Sequence, residues 1–180
     1  MIKLSKTEVK ELFEVISEDN LEYGLIFKLC YVYGRLVSEV YSLHRDDVDF
    51  KENKISFRIN NTMVDYPLHS SVYDDLKVQV DETSDYLFQH IGKDINNFSS
   101  KLNYFLKKYD QDYGVHVSPR EFKKLRGQHL LLDGVKVNSI SRLYYSKDNS
   151  ATRRLIDYDE LLGLVNDVDV VMILDEFTVL

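Results

Sequence analysis

Arg120, Lys123 and Arg126 recur at intervals of three just after Pro119, and side chains three apart on a helix share a face. Fixed cations on one face can hold the oxygens of a phosphate, or they can form a merely solvated basic surface. The residue types leave both readings open. Lys124 lies beside them, and Lys147, Arg153 and Arg154 could extend the patch. Between Val117 and Arg154 nine basic residues stand against three acidic ones, a local net of +6 in a chain of net −7. The remainder therefore carries −13, so one segment could attract phosphate while the body stays acidic and soluble.

Other chemistries find less support. The five histidines (His44, His69, His90, His116 and His129) show no metal-ligand spacing, so no metal is expected. Cys30 sits in the apolar stretch from Leu25 to Val32 and reads as a buried thiol. Asp46-Asp47 and Asp74-Asp75 read as turn or helix-end acids rather than paired catalytic carboxylates. The seven glycines form no phosphate-cradling loop, and neither a cofactor nor a small-molecule substrate is expected.

The elements that must position the basic residues can be read from periodicity. Ser5-Lys6-Thr7-Glu8 is a capping box that opens a helix with Val9, Leu12, Phe13 and Ile16 on one face. A second helix, from about Leu21 to Tyr33, is apolar nearly all round and reads as central; Gly34 ends it, and Leu36–Leu43 makes a short third. The period then changes to that of strands at 48–50, 54–59 and 63–67, with Asn60-Asn61 as turn residues. Helices return at about 70–79, 95–109, from Pro119 to Gly134, 137–143 and 152–165. Residues 86–88 read as a short strand and 111–118 as a loop. The expected fold is mainly α with a small antiparallel β meander, an α+β domain over 1–167, followed by an apolar tail at 168–180 that docks on its own domain or on a partner. No apolar run approaches the ~20 residues that span a bilayer, and MIKLSKTEVKELF is unlike a secretory signal, so a cytoplasmic protein without membrane contact is expected.

Several segments, in order, resemble the boxes of the tyrosine recombinase (phage integrase) catalytic domain. The run Tyr33-Gly34-Arg35-Leu36-Val37-Ser38-Glu39-Val40, followed by Asp47-Val48-Asp49, is similar to the family's first arginine box. Tyr66-Pro67-Leu68 is similar to the close of its β-hairpin. Ser118-Pro119-Arg120-Glu121-Phe122-Lys123, running on to Leu131-Leu132-Asp133-Gly134, aligns without a gap with its histidine–arginine box. The resemblance covers roughly Lys3 to Val165.

It implies a metal-free transfer of a DNA phosphodiester to a tyrosine hydroxyl, with two arginines clamping the phosphate and a hairpin lysine and two histidine-type residues assisting. The positions that carry those roles hold other residues here. The first arginine falls on Leu36, with Arg35 one residue early and therefore rotated by about 100° on a helix. The lysine falls near Asn60, the histidine on Arg120, the second arginine on Lys123, the later histidine on Ser146 and the tyrosine on Leu155; Tyr158 is the nearest tyrosine beyond. The resemblance thus implies a recombinase-like protein that is catalytically inactive, DNA-associated and linked to recombination or integration of a mobile element. Its DNA-phosphate contacts would come from Arg35, Arg120, Lys123, Lys124, Arg126, Lys147, Arg153 and Arg154, and its tail could join a second copy or an active integrase. The alternatives are a divergent active recombinase using Tyr158 and a protein-interaction module that no longer binds DNA.

Overall fold

The computed structural model describes residues 1–165, so the predicted boundary at 167 and the tail at 168–180 lie outside the described residues. The chain begins with α1 (Lys6–Asp19), closed by the predicted capping box: Ser5 Oγ accepts from the Glu8 N–H and the Glu8 carboxylate accepts from the Ser5 N–H. Its stripe of Val9, Leu12, Phe13 and Ile16 is buried against α2 (Leu21–Val32). Because α2 is apolar nearly all round, it forms the central strut, with α1, α4 (Ser70–Glu82) and α7 (Glu121–Leu132) packed about it.

Between α2 and α4 come the short helix α3 (Val37–Tyr41) and a three-stranded antiparallel meander, β1 (Val48–Asp49), β2 (Lys54–Ile59) and β3 (Thr62–Pro67), in sequence order. Along β2 the alternation is clean: Ile55, Phe57 and Ile59 are buried, and Arg58 is exposed. Ile59 pairs with Thr62, so Asn60 and Asn61 alone make the turn, both with positive φ (48° and 62°). That is the two-residue hairpin geometry in which asparagine is favoured. The fourth predicted strand, at 86–88, is reduced to one bridge between His44 and Tyr86.

The second half is helical: α5 (Ile95–Leu106), α6 (Asp110–Tyr113), α7, α8 (Val137–Leu143), α9 (Asn149–Leu155) and α10 (Tyr158–Val165). Two expectations are corrected here. The loop predicted at 111–118 holds the single turn α6, ended by Gly114 in the left-handed region. The single helix predicted over 152–165 is two helices, because Asp157 takes a φ of 54° between them. Leu155 and Tyr158 therefore belong to different helices, and no count along one spiral relates them. The mainly helical fold with a small antiparallel meander is otherwise as expected.

Candidate functional site

The ends of α2 and α8 meet the first half of α7 where the family's phosphate clamp is expected. All three helices close in the same way. The residue after the cap is left-handed (Gly34, Gly134 and Tyr145), and the next N–H reaches back five residues: Arg35 to Cys30 O, Val135 to Leu130 O, Ser146 to Ser141 O. At Gly34 glycine is required twice over, since a Cβ would lie 2.2 Å from the Tyr144 ring. Tyr145 occupies such a position without that freedom, at φ 54°.

This closure directs Arg35 inward. Its side chain is fully buried. Nε donates to Tyr33 O and Nη2 to Leu143 O, each at 2.9 Å, while Nη1 finds no protein acceptor. Tyr66 Oη donates to the same Leu143 carbonyl at 2.8 Å, and the guanidinium lies over the Tyr66 ring. Glu39 stands 3.8 Å from Arg35 Nε, and its carboxylate also accepts the Leu36 N–H. The Leu36 side chain, at the family's arginine position, points to solvent. As a surface phosphate contact, Arg35 is corrected by this burial: a guanidinium holding main-chain carbonyls presents nothing to a ligand outside.

Lys123 is the second member of the cluster. It is half-buried, with Nζ 4.9 Å over the centre of the Tyr144 ring, and Tyr144 Oη donates to the Lys123 carbonyl. Burial, reinforced by the nearby Arg35 charge, pulls the Lys123 ammonium down to about 8. Arg126, one turn on, lies over the Tyr31 ring, with its Nε buried and unpartnered by protein. Burial pushes the Cys30 thiol well up, which removes it as a nucleophile.

The remaining predicted residues divide by exposure. Arg120 is exposed in the turn before α7, which Ser118 closes by donating its N–H and Oγ to Glu121. Arg120 and Lys123 therefore do not point together, because Lys123 leans inward onto Tyr144. Lys147, Arg153 and Arg154 are exposed, whereas Lys124 pairs with Asp157 at 2.6 Å. Asn60 is consumed by the hairpin turn, Ser146 is half-buried behind Tyr145, and Leu155 packs on the core. The Tyr158 ring carries the Arg153 guanidinium 4.7 Å from its centre. Reading the sequence missed Glu39, Tyr66 and Tyr144. Glu39 carries a signal, as the acid three residues after the N-cap Leu36 of α3; the other two are aromatics whose partners are main-chain carbonyls. Among the described residues no cluster of histidine, cysteine and carboxylate side chains could hold a metal ion.

Comparison with known proteins agrees with the family resemblance and the fold. The phage integrase family matches residues 3–159. Tyrosine recombinase XerA of Thermococcus kodakarensis is 31% identical over 157 residues, covering 83% of this chain and 56% of that protein. XerA of Pyrococcus furiosus is 28% identical over 158 residues, covering 83% and 55%. The chain thus spans about half the length of the curated relatives it matches. Among solved structures, the crystal structure of XerA recombinase superposes with a TM-score of 0.72 at 17% identity, over 93% of this chain and 63% of that one. The Tn1549 transposon integrase in complex with circular intermediate DNA gives 0.66 at 13% identity, over 88% and 64%. At these identities the structural likeness is one of fold.

Proposed function

Since the chain belongs to the phage integrase family, of tyrosine recombinase fold, we propose that it binds duplex DNA through the basic face of that fold without performing strand transfer. The observation that carries this reading is Arg35, whose guanidinium is buried on the carbonyls of Tyr33 and Leu143 instead of facing a ligand. A phosphoryl clamp needs planar cations aimed at the non-bridging oxygens, and Lys123 supplies only a half-buried amine. By the resemblance, the family's nucleophile position falls on Leu155, which has no hydroxyl. Exposed Arg120, Lys147, Arg153 and Arg154 remain to meet phosphates, with Lys123 behind them. The solved integrase complexes with DNA support DNA as the partner of this face. The unit that binds is taken as 1–167, with 168–180 as a segment that docks in cis or on a second copy or an active integrase. None of the described helices is long and apolar enough to cross a membrane.

The test is a nicked duplex that traps covalent intermediates, combined with anisotropy at rising salt. Binding that weakens with salt, as counterion release requires, falls in Arg120→Ala/Lys123→Ala, and leaves no denaturant-resistant protein–DNA adduct is the expected result. An adduct abolished by Tyr158→Phe would replace the proposal with a divergent recombinase. No binding at low salt would leave a protein-interaction module.

A further inference from the structure

Away from the basic segment, α5 carries a second cationic surface of different make. Tyr104 is 79% exposed, more than any other large side chain of apolar character among the described residues apart from Met1. Lys101 precedes it by three residues and Lys107 follows by three, so both lie on its face of the helix. Behind them Tyr23 and Phe105 meet edge to face, with ring centroids 4.7 Å apart, and Lys108 lies 4.0 Å over Phe105. Together these residues line an open groove of about 720 Å³. The Lys108 charge is met by Asp19, and Lys101 Nζ donates to Ile91 O, with no carboxylate paired to it among the described residues. Lys101 and Lys107 therefore leave the groove positive on a body that is acidic outside the segment from 117 to 154.

We infer that this groove binds a single nucleic-acid strand, by stacking a base on Tyr104 and seating the flanking phosphates on Lys101 and Lys107. The two lysines stand ~9 Å apart along the helix axis with the ring between them, which sets one base between two backbone charges. An exposed aromatic face needs an unstacked base, so a single strand fits where a duplex does not. An acidic peptide would satisfy the lysines but would leave the exposed ring without a flat partner. The groove opens at the start of α2 and the Arg35–Lys123 cluster lies past its end, roughly 15 Å along the axis. It is thus a separate surface from the one proposed for duplex DNA.

The experiment titrates a short labelled oligothymidylate against wild type, Tyr104→Ala, Tyr104→Phe, Lys107→Ala and Arg120→Ala/Lys123→Ala. Tyr104→Ala should weaken binding about tenfold and Tyr104→Phe should restore it. Lys107→Ala should reduce the salt slope by about 0.7, the value for one phosphate on a single strand. The Arg120/Lys123 variant should bind the oligonucleotide as wild type does, whatever it does to duplex. Tyr104 is exposed, so its replacement leaves the fold intact, and unchanged melting of each variant checks this. Wild type that ignores the oligonucleotide at low salt would overturn the inference, as would binding indifferent to Tyr104 or lost only with Arg120 and Lys123. Tyr104-dependent binding of a polyglutamate peptide, with no binding of the oligonucleotide, would overturn it in favour of an acidic polypeptide.

Discussion

Lys123 and Tyr145 are each expensive where they stand. Burial and the Arg35 charge hold the Lys123 ammonium at about 8, below its ordinary 10.5. A lysine whose folded value is depressed costs stability while the unfolded chain binds the extra proton, and that cost fades as pH rises from about 8 to 10.5. Lys123→Met is accordingly expected to raise the melting temperature at pH 7 and to lose that advantage by pH 10.5, while weakening the proposed duplex binding; thermal melts across that range check it. Tyr145 sits at φ 54°, a conformation that costs a residue with a Cβ ~1–2 kcal/mol. Tyr145→Gly should therefore stabilise the protein by about 1 kcal/mol in urea unfolding. A destabilised Tyr145→Gly would mean that packing of the half-exposed ring outweighs the backbone strain.

Among the elements, the helix ends govern the site. Tyr144 fills the space between the end of α2 and the middle of α7, and both neighbours are glycine. A Cβ at Gly34 would meet the Tyr144 ring at 2.2 Å, and one at Gly127 would meet the Tyr144 Oη at 2.4 Å. Gly34→Ala also places a side chain at positive φ, so a loss of ~2–4 kcal/mol is expected. Tyr144→Leu should recover part of that loss when combined with it, and a double-mutant cycle measures the coupling. What the sequence revealed follows the same division. The capping box at Ser5, the central α2, the Asn60-Asn61 turn and the span of α8 were legible because each depends on nearby residues of the right type. The break at Asp157 and the closure at Tyr145 were not: tyrosine seldom adopts a left-handed backbone, and aspartate, though it does so more often, is too common within helices to mark a break alone. The family boxes pointed to the candidate site, but the inward turn of Arg35 depends on a carbonyl 108 residues away. A main-chain acceptor leaves no mark on residue type.

For the molecule as a whole, buried histidines set the acid limit. His129 joins three elements: Tyr31 Oη donates to its Nδ1 and its Nε2–H donates to Leu4 O, each at 2.8 Å. Burial holds His129 and His69 below the ordinary 6.5. The unfolded chain then binds more protons than the folded one, so stability should decline as pH falls from about 6.5 toward the lower folded values. Asp19, Asp65, Glu8 and Glu121 are held below their ordinary values by their hydrogen bonds, so a second decline should follow below about pH 4. Urea unfolding at pH 7.5, 5.5 and 3.5 separates the two, and His129→Gln should flatten the first. A profile flat from pH 7.5 to 5.5 would contradict the neutral, buried imidazoles.

Under the proposed non-cutting reading, the carbonyl of Leu143, shared by Arg35 and Tyr66, makes the route to the family's phosphate clamp a crossing rather than a slope. Exchanging the order of residues 35 and 36 would restore the family's arginine register, but no single substitution along that path improves anything. Arg35→Leu alone leaves the Leu143 carbonyl short of a donor and the Tyr33 carbonyl unpaired. Leu36→Arg alone adds a third cation beside Arg35 and Lys123. The hydrogen bonds of Arg35 thus oppose each step taken alone.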